Sequence, residues 1–127
     1  MIILRIALFA AALTLPLTAH TAEGKATAWS AKPRPLRGDY QVYGGTLSEM
    51  LPPTHRDRKI AMMFKGPLAK ELFEQIGPDE KASCSDAADY RERNRGDLSC
   101  TYTKEDGHAC YFGIDVISGK AIIGSIC

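Results

Sequence analysis

Two of the three histidines, His55 and His108, lie well beyond the apolar N-terminal stretch and carry the side chains best suited to acid–base chemistry. His108 lies near Glu105, and a histidine–carboxylate pair is what a small hydrolase needs to move a proton. His55 lies in a basic loop with Arg56 and Arg58, a group that could bind a phosphate or an acidic partner. Neither histidine is part of a catalytic motif, so a solvated turn or loop residue is the simpler interpretation of each.

The four cysteines are the second set of reactive side chains: Cys84, Cys100, Cys110 and Cys127. None of them forms a Cys-x-x-Cys pair, and neither histidine stands at helical ligand spacing from a cysteine. The spacing is therefore not typical of a zinc site, and we expect no metal and no cofactor. Four cysteines in a short exported chain are expected to form two disulfide bonds.

Export is predicted from the first 22 residues. A single early cation, Arg5, precedes an apolar run from Ile6 to Leu17, and small residues such as Ala19 and Ala22 follow. This layout is typical of a secretory signal peptide, and the run is shorter than the roughly 20 residues that cross a membrane. We expect residues 1–22 to be a leader, with cleavage open between Ala19 and Ala28. The remaining chain should have no membrane anchor and should reside in the periplasm or outside the cell.

The charge distribution argues against nucleic acid as a partner. The chain has 127 residues and a formal net charge of +1, with basic residues concentrated before residue 70 and acidic residues after it. Such a balance gives no global attraction to nucleic acid or to an anionic membrane. The length is sufficient for a single domain.

Local patterns predict the elements of this domain. Residues 23–39 contain Lys32-Pro33-Arg34-Pro35 and are expected to form a flexible basic arm, because alternating proline and basic residues cannot form a helix. The domain itself is predicted to span residues 40–127, with short strands at 40–43 and 60–65. Gly66-Pro67 should begin a helix that ends at Ile76, since apolar residues recur on one of its faces.

The C-terminal third is predicted to be a three-stranded antiparallel meander over residues 98–104, 109–117 and 120–127. Two-residue turns at Asp106-Gly107 and Ser118-Gly119 would connect the strands. The second turn places Cys110 opposite Cys127, at a separation that suits a disulfide. We therefore predict the pair Cys110–Cys127 and, by elimination, the pair Cys84–Cys100.

The same registers assign side chains to the two faces of the meander. Cys100 and Tyr102 should share one face, which the helix is expected to cover. Phe112, Ile114 and Ile123 should lie on the other face, which is either part of the core or a contact surface for a partner.

Together these features predict an α+β domain in which a small antiparallel sheet packs against one helix and two disulfides join the chain. The leading functional hypothesis is a small exported binding module, for example an inhibitor or immunity-type protein that acts on a protein partner. The alternatives are a small secreted hydrolase that uses His108 or His55 with nearby carboxylates, and an envelope structural component. The candidate binding residues are His55, Arg56, Arg58, Phe112, Ile114 and Ile123.

Overall fold

A computed structural model describes residues 29–127. The predicted leader and the first six residues of the predicted arm lie outside the described residues. The described part contains seven strands and one helix, in the following order: β1 (Arg37–Gly45), β2 (Met50–Leu51), β3 (Lys59–Lys65), α1 (Pro67–Gln75), β4 (Arg91–Arg95), β5 (Leu98–Thr103), β6 (Gly107–Asp115) and β7 (Ala121–Ile122).

All seven strands belong to one antiparallel sheet. The strand order is β2-β1-β3-β6-β5-β4, and β7 pairs with β6 beyond the end of β5. Since β3 pairs with one edge of β6, β5 and β7 both lie along the other edge. The predicted fold class is confirmed: a small antiparallel sheet packs with one helix, and two disulfides join the chain.

Helix α1 forms where the sequence predicts it, to within one residue. Pro67 occupies its first turn, where the missing N–H of proline costs nothing. Ala69, Phe73 and Ile76 are buried against the sheet, and they form the core together with Cys100 and Cys110 on the strands beneath. The partly buried residues around this core are Phe64, Leu72, Leu98 and Tyr102.

The first C-terminal hairpin has a longer turn than predicted. Thr103 pairs with Gly107, so the loop has three residues, and Gly107 adopts a φ of +71°. A three-residue hairpin loop is commonly followed by a glycine in this left-handed conformation. The Thr103 hydroxyl accepts a hydrogen bond from the N–H of Asp106, 3.0 Å away, and holds the loop closed. Cys100 consequently lies directly opposite Cys110.

The second C-terminal hairpin also has a longer turn, which spans residues 116–119. Its closing bond runs from the N–H of Asp115 to the carbonyl of Lys120, 2.9 Å apart. The Asp115 carboxylate accepts hydrogen bonds from the backbone of Ile117 and Ser118, both at 3.0 Å, and these bonds lower its pKa. Aspartate stabilises turns in this way because its side chain mimics the backbone acceptor.

The predicted disulfide pairs are wrong, although all four cysteines are bonded. The structure joins Cys100 to Cys110 and Cys84 to Cys127. Each longer turn moves its strand register away from the predicted one, so Cys110 meets Cys100 instead of Cys127. The last strand is also shorter than predicted and ends at Ile122. The residues after it do not pair along the sheet edge, and Cys127 is bonded to Cys84.

The two faces of the sheet are defined by the helix. The helix face carries α1 over Cys100 and Cys110, and the open face is the opposite side. Alternation along β6 places Phe112 and Ile114 on the helix face, with Cys110. The prediction that they lie on the face away from the helix is therefore wrong. The first hairpin register differs from the predicted one by an odd number of residues, and such a shift exchanges the faces.

Strand β4 forms one edge of the sheet. The N–H of Glu80 donates a hydrogen bond of 2.8 Å to the carbonyl of Glu92, so the preceding segment covers the edge. Arg91 and Arg93 both bind the carboxylate of Asp79. Their guanidinium groups also lie over the ring of Phe73, which ties β4 to the helix.

Candidate functional site

His108 is part of an aromatic cluster below the helix. Its ring centre lies 5.0 Å from that of Phe73 and 4.7 Å from that of Tyr102. Burial lowers the pKa of His108, and nearby Lys70 acts in the same direction. Packing therefore favours the neutral form of the imidazole. Glu105, its predicted partner, lies exposed in the hairpin loop.

The basic loop with His55 and Arg56 is ordered by its own backbone contacts. The hydroxyl of Thr54 accepts hydrogen bonds from the N–H groups of Arg56 and Asp57, at 3.2 and 3.0 Å. His55 and Arg56 are exposed, while the carbonyl of Arg58 accepts a bond from Val116 in the last hairpin loop. This loop is separate from His108, so the structure does not bring the two histidines into one site.

Two rows of apolar side chains run across the helix face beside α1. We call them the apolar rows. Cross-strand pairing aligns the following residues in them: Tyr40 with Met62 and Phe112, and Val42 with Ile60 and Ile114. Residues paired across strands share a face and touch, so each row is a continuous apolar strip. The strips end at β1, where Tyr40 is 72 % exposed and Val42 is also exposed.

The outer edge of β1 is largely open. Strand β2 pairs only with Gly44 and Gly45 at its end, whereas β3 pairs with residues 37–43 along the inner edge. Among residues 29–127, no strand pairs with the outer edge of residues 37–43. Half of the backbone N–H and C=O groups of that segment point outward, and an edge of this kind is a template for another strand.

The open face carries a cavity of about 430 Å³ that is lined by both polar and apolar side chains. Its floor is formed by β5 and β6, and its walls by the C-terminal residues 125–127 and by the Cys84–Cys127 disulfide. Hydroxyl groups line it, among them those of Ser99, Thr101 and Tyr111. A second cavity of about 280 Å³ adjoins it and shares Met63, Tyr111 and Ser125 as lining residues.

Glu92 is the buried charged group beside this cavity. Its side chain accepts hydrogen bonds from the N–H of Cys84, the hydroxyl of Tyr90 and the amide of Asn94. Burial alone would raise the pKa of Glu92, but these three bonds together lower it below its usual range. Burial, followed by the neighbouring Glu92 carboxylate, raises the pKa of Tyr90 to about 12. Both groups therefore keep their charge states near neutral pH.

The structure groups some of the predicted binding residues and separates others. Phe112 and Ile114 lie in the apolar rows, whereas Ile123 lies beyond β7 and is 50 % exposed. The residues that sequence reasoning missed are those of β1 and β3: Tyr40, Val42, Ile60 and Met62. The apolar run of residues 60–64 marks β3 as a strand, but only the register shows that these residues extend the strip of Phe112 and Ile114.

Residues 29–127 contain neither a metal-binding cluster nor a membrane-spanning helix. No cluster of three or more His, Cys, Asp or Glu side chains in this part of the chain could hold a metal ion. No helix within these residues has the length and apolar character to cross a membrane. Comparison of the chain with protein-family models, curated proteins and solved structures gives no match. Function is therefore inferred from the geometry described above.

Proposed function

We propose that the protein is an exported binding module, of the inhibitor or immunity-protein kind, that captures a protein partner through the apolar rows and the outer edge of β1. This proposal rests on one observation: the apolar rows extend to β1, the strand whose outer edge has unpaired backbone groups. At β1 the strand edge offers backbone hydrogen bonds and the apolar rows offer apolar contacts, so the two together form one binding surface.

The apolar rows supply the binding energy in this proposal. Tyr40 and Val42 expose their side chains, and Phe112 and Ile114 continue the strip as half-buried residues. Contiguous exposed apolar surface on a small domain is typical of an interaction site. A large exposed aromatic residue such as Tyr40 is also the type of residue that most often anchors a protein interface.

The edge of β1 defines the form of the partner. Unpaired N–H and C=O groups on a strand are satisfied best by a second extended strand, which adds to the sheet. Residues 37–43 contain no proline, and nothing among residues 29–127 pairs with their outer side. A partner that presents an extended segment would pair with this backbone and place alternate side chains against Tyr40 and Val42.

Export is supported by the disulfides and by the pattern at the N-terminus. Two disulfides in a domain of this size are compatible with an extracellular or otherwise oxidising location. The apolar run and the small residues that follow it suit a leader that directs the chain to the periplasm or outside the cell. The hydrolase alternative is disfavoured because His108 packs against two rings, which suits a structural role.

Site-specific photocrosslinking tests the proposal in the intact protein. A photoreactive residue is placed at Val42 or at Tyr40, and at exposed Lys81 as a control. We expect one discrete protein to be crosslinked from the two β1 positions and not from Lys81. With that protein purified, Val42→Lys should weaken binding at least about tenfold, because a buried charge replaces an apolar contact, while Lys81→Ala should have no effect.

Two outcomes would contradict the proposal. Crosslinks that arise equally from Val42 and Lys81 would show that β1 is not a specific surface. A further photoreactive residue at Arg56 that crosslinks the partner when the β1 positions do not would place the partner on the basic loop. The oxidised state of all variants is checked by the absence of free thiols, since the wild-type chain has none.

A further inference from the structure

We infer that the open face holds a second binding site, and that its ligand is a neutral oligosaccharide. The site is the groove formed by the two adjoining cavities, of about 430 and 280 Å³, which share Met63, Tyr111 and Ser125. The larger cavity alone falls within the usual size range of small-molecule sites. Because two cavities adjoin, the groove suits an elongated ligand of more than one unit.

The hydroxyl groups of the groove are available to a ligand. Within residues 29–127, the side-chain hydroxyls of Ser99, Thr101, Tyr111 and Ser125 have no hydrogen-bond partner in the protein, and none of them is a buried unsatisfied group. They are therefore accessible from the groove. A hydroxyl both donates and accepts a hydrogen bond, so a row of hydroxyls matches a ligand that does the same at every position.

The spacing of these hydroxyls is fixed by the sheet. Ser99 and Thr101 alternate on β5, and cross-strand pairing sets Ser99 beside Tyr111 on β6. Successive residues on one face of a strand lie about 6.5–7 Å apart. A rigid row of this kind holds its donors and acceptors in place before the ligand arrives, which reduces the entropy lost on binding.

The charges around the groove favour a neutral ligand. Lys65 lines it on one side, and the carboxylates of Asp106 and Glu92 line it as well. The two carboxylates would repel an anion, and the ammonium group of Lys65 would repel a cation. Glu92 is also engaged by three protein donors and is not free to bind a cation.

A peptide is a poorer fit than a saccharide. An extended peptide binds best to a free strand edge, but the backbone groups of β5 and β6 in the floor are used within the sheet. The groove instead offers side-chain hydroxyls and the ring of Tyr111, beside apolar side chains such as Met63 and Ile126. A sugar ring uses both, since its hydroxyls form hydrogen bonds and its C–H face packs on an aromatic ring.

Nuclear magnetic resonance titration of the oxidised chain with neutral trisaccharides tests this inference. Maltotriose, cellotriose and N,N′,N″-triacetylchitotriose are the probes, and a neutral Gly-Ser peptide is the rival ligand. We expect saturable shifts of the amides of Ser99, Thr101, Tyr111 and Ser125 with at least one trisaccharide. Tyr111→Phe and Thr101→Val should each raise the Kd about fivefold through the loss of one hydrogen bond.

Tyr102→Phe is the matched control, because it removes the same hydroxyl from the helix face of the sheet. It should leave the Kd unchanged. The inference is overturned if no trisaccharide shifts these amides at millimolar concentration, if the peptide alone does so, or if Tyr102→Phe and Tyr111→Phe weaken binding equally. Variants that do not retain the wild-type spectrum are excluded, and the remaining hydroxyl variant then decides the result.

Discussion

The carboxylate of Glu92 accepts a hydrogen bond from the backbone N–H of Cys84, with 2.9 Å between the oxygen and the nitrogen. This contact connects an edge strand to the segment that carries one end of a disulfide. Tyr90 and Asn94 bind the same carboxylate, which is only 7 % exposed. The Cys84–Cys127 disulfide links this segment to the C-terminal residues that form a wall of the groove, so the Glu92 hydrogen bonds also help to hold those residues in place.

Replacement of Glu92 should destabilise the fold. In Glu92→Gln, one of the two oxygens becomes an amide NH₂ that meets donors, so we expect a loss of about 1–3 kcal/mol in the free energy of unfolding. Urea denaturation measures this change. Glu80→Gln is the control, because Glu80 is exposed and contributes only its backbone N–H to Glu92. Equal effects of the two variants would contradict the anchoring role of Glu92.

Acid should weaken the contact between β4 and the helix through Asp79. The hydrogen bonds from Arg91 and then Arg93 lower the pKa of Asp79 from 3.8 to about 2. A carboxyl group with a lowered pKa in the folded state stabilises the fold above its unfolded pKa, and this stabilisation is lost as the pH falls towards the folded value. We therefore expect the melting temperature to drop between about pH 4 and pH 2.

The variant Asp79→Asn should flatten this pH dependence, and a melting curve at each pH measures it. The effect should be modest, because the Asp79 side chain is 40 % exposed and solvent screens the pair. An unchanged slope in the variant would assign the acid sensitivity to other carboxyl groups, of which Glu92 is the first candidate because its pKa is also lowered.

The two disulfides should have separable roles. Cys84–Cys127 closes a sequence separation of 43 residues and Cys100–Cys110 one of 10 residues. The chain-entropy estimate gives about 4 kcal/mol for the longer loop and about 3 kcal/mol for the shorter. We expect Cys84→Ala/Cys127→Ala to speed amide exchange in residues 121–127 while α1 stays protected. Peptide mapping without reduction checks the pairs, and a Cys110–Cys127 peptide would contradict them.

The helix could be predicted from the sequence because its signals are local. Gly66-Pro67 marks its start, and Leu68, Leu72, Phe73 and Ile76 mark its apolar face. The register of the first C-terminal hairpin could not be predicted from the sequence. It depends on whether Gly107 is the second residue of a two-residue turn or follows a three-residue loop. Both conformations suit an Asp-Gly pair, and one residue of difference exchanges the faces of the sheet.

The candidate sites were predictable only in part for the same reason. The grouping of Ser99, Thr101 and Thr103 on one face follows from alternation alone, whatever the register. The apolar rows join residues of β1, β3 and β6, which lie far apart in the sequence. Strand β1 also begins at Arg37, earlier than predicted, since Arg37-Gly38-Asp39 has no apolar alternation that would indicate a strand.

Gly124 should be intolerant of a side chain because the C-terminal segment crosses β6 there. A Cβ atom at this position would lie 2.3 Å from the backbone nitrogen of Phe112, closer than real contacts allow. Gly124→Ala must therefore lift the segment from the sheet, and we expect a loss of about 1–3 kcal/mol in the free energy of unfolding, as for other overpacked sites. Urea denaturation measures the loss, and faster amide exchange in residues 122–126 locates it. Ile123→Ala is the control, since this neighbour is half exposed and should cost much less. If Gly124→Ala matched Ile123→Ala in both measurements, the close approach of Gly124 to Phe112 would be disproved.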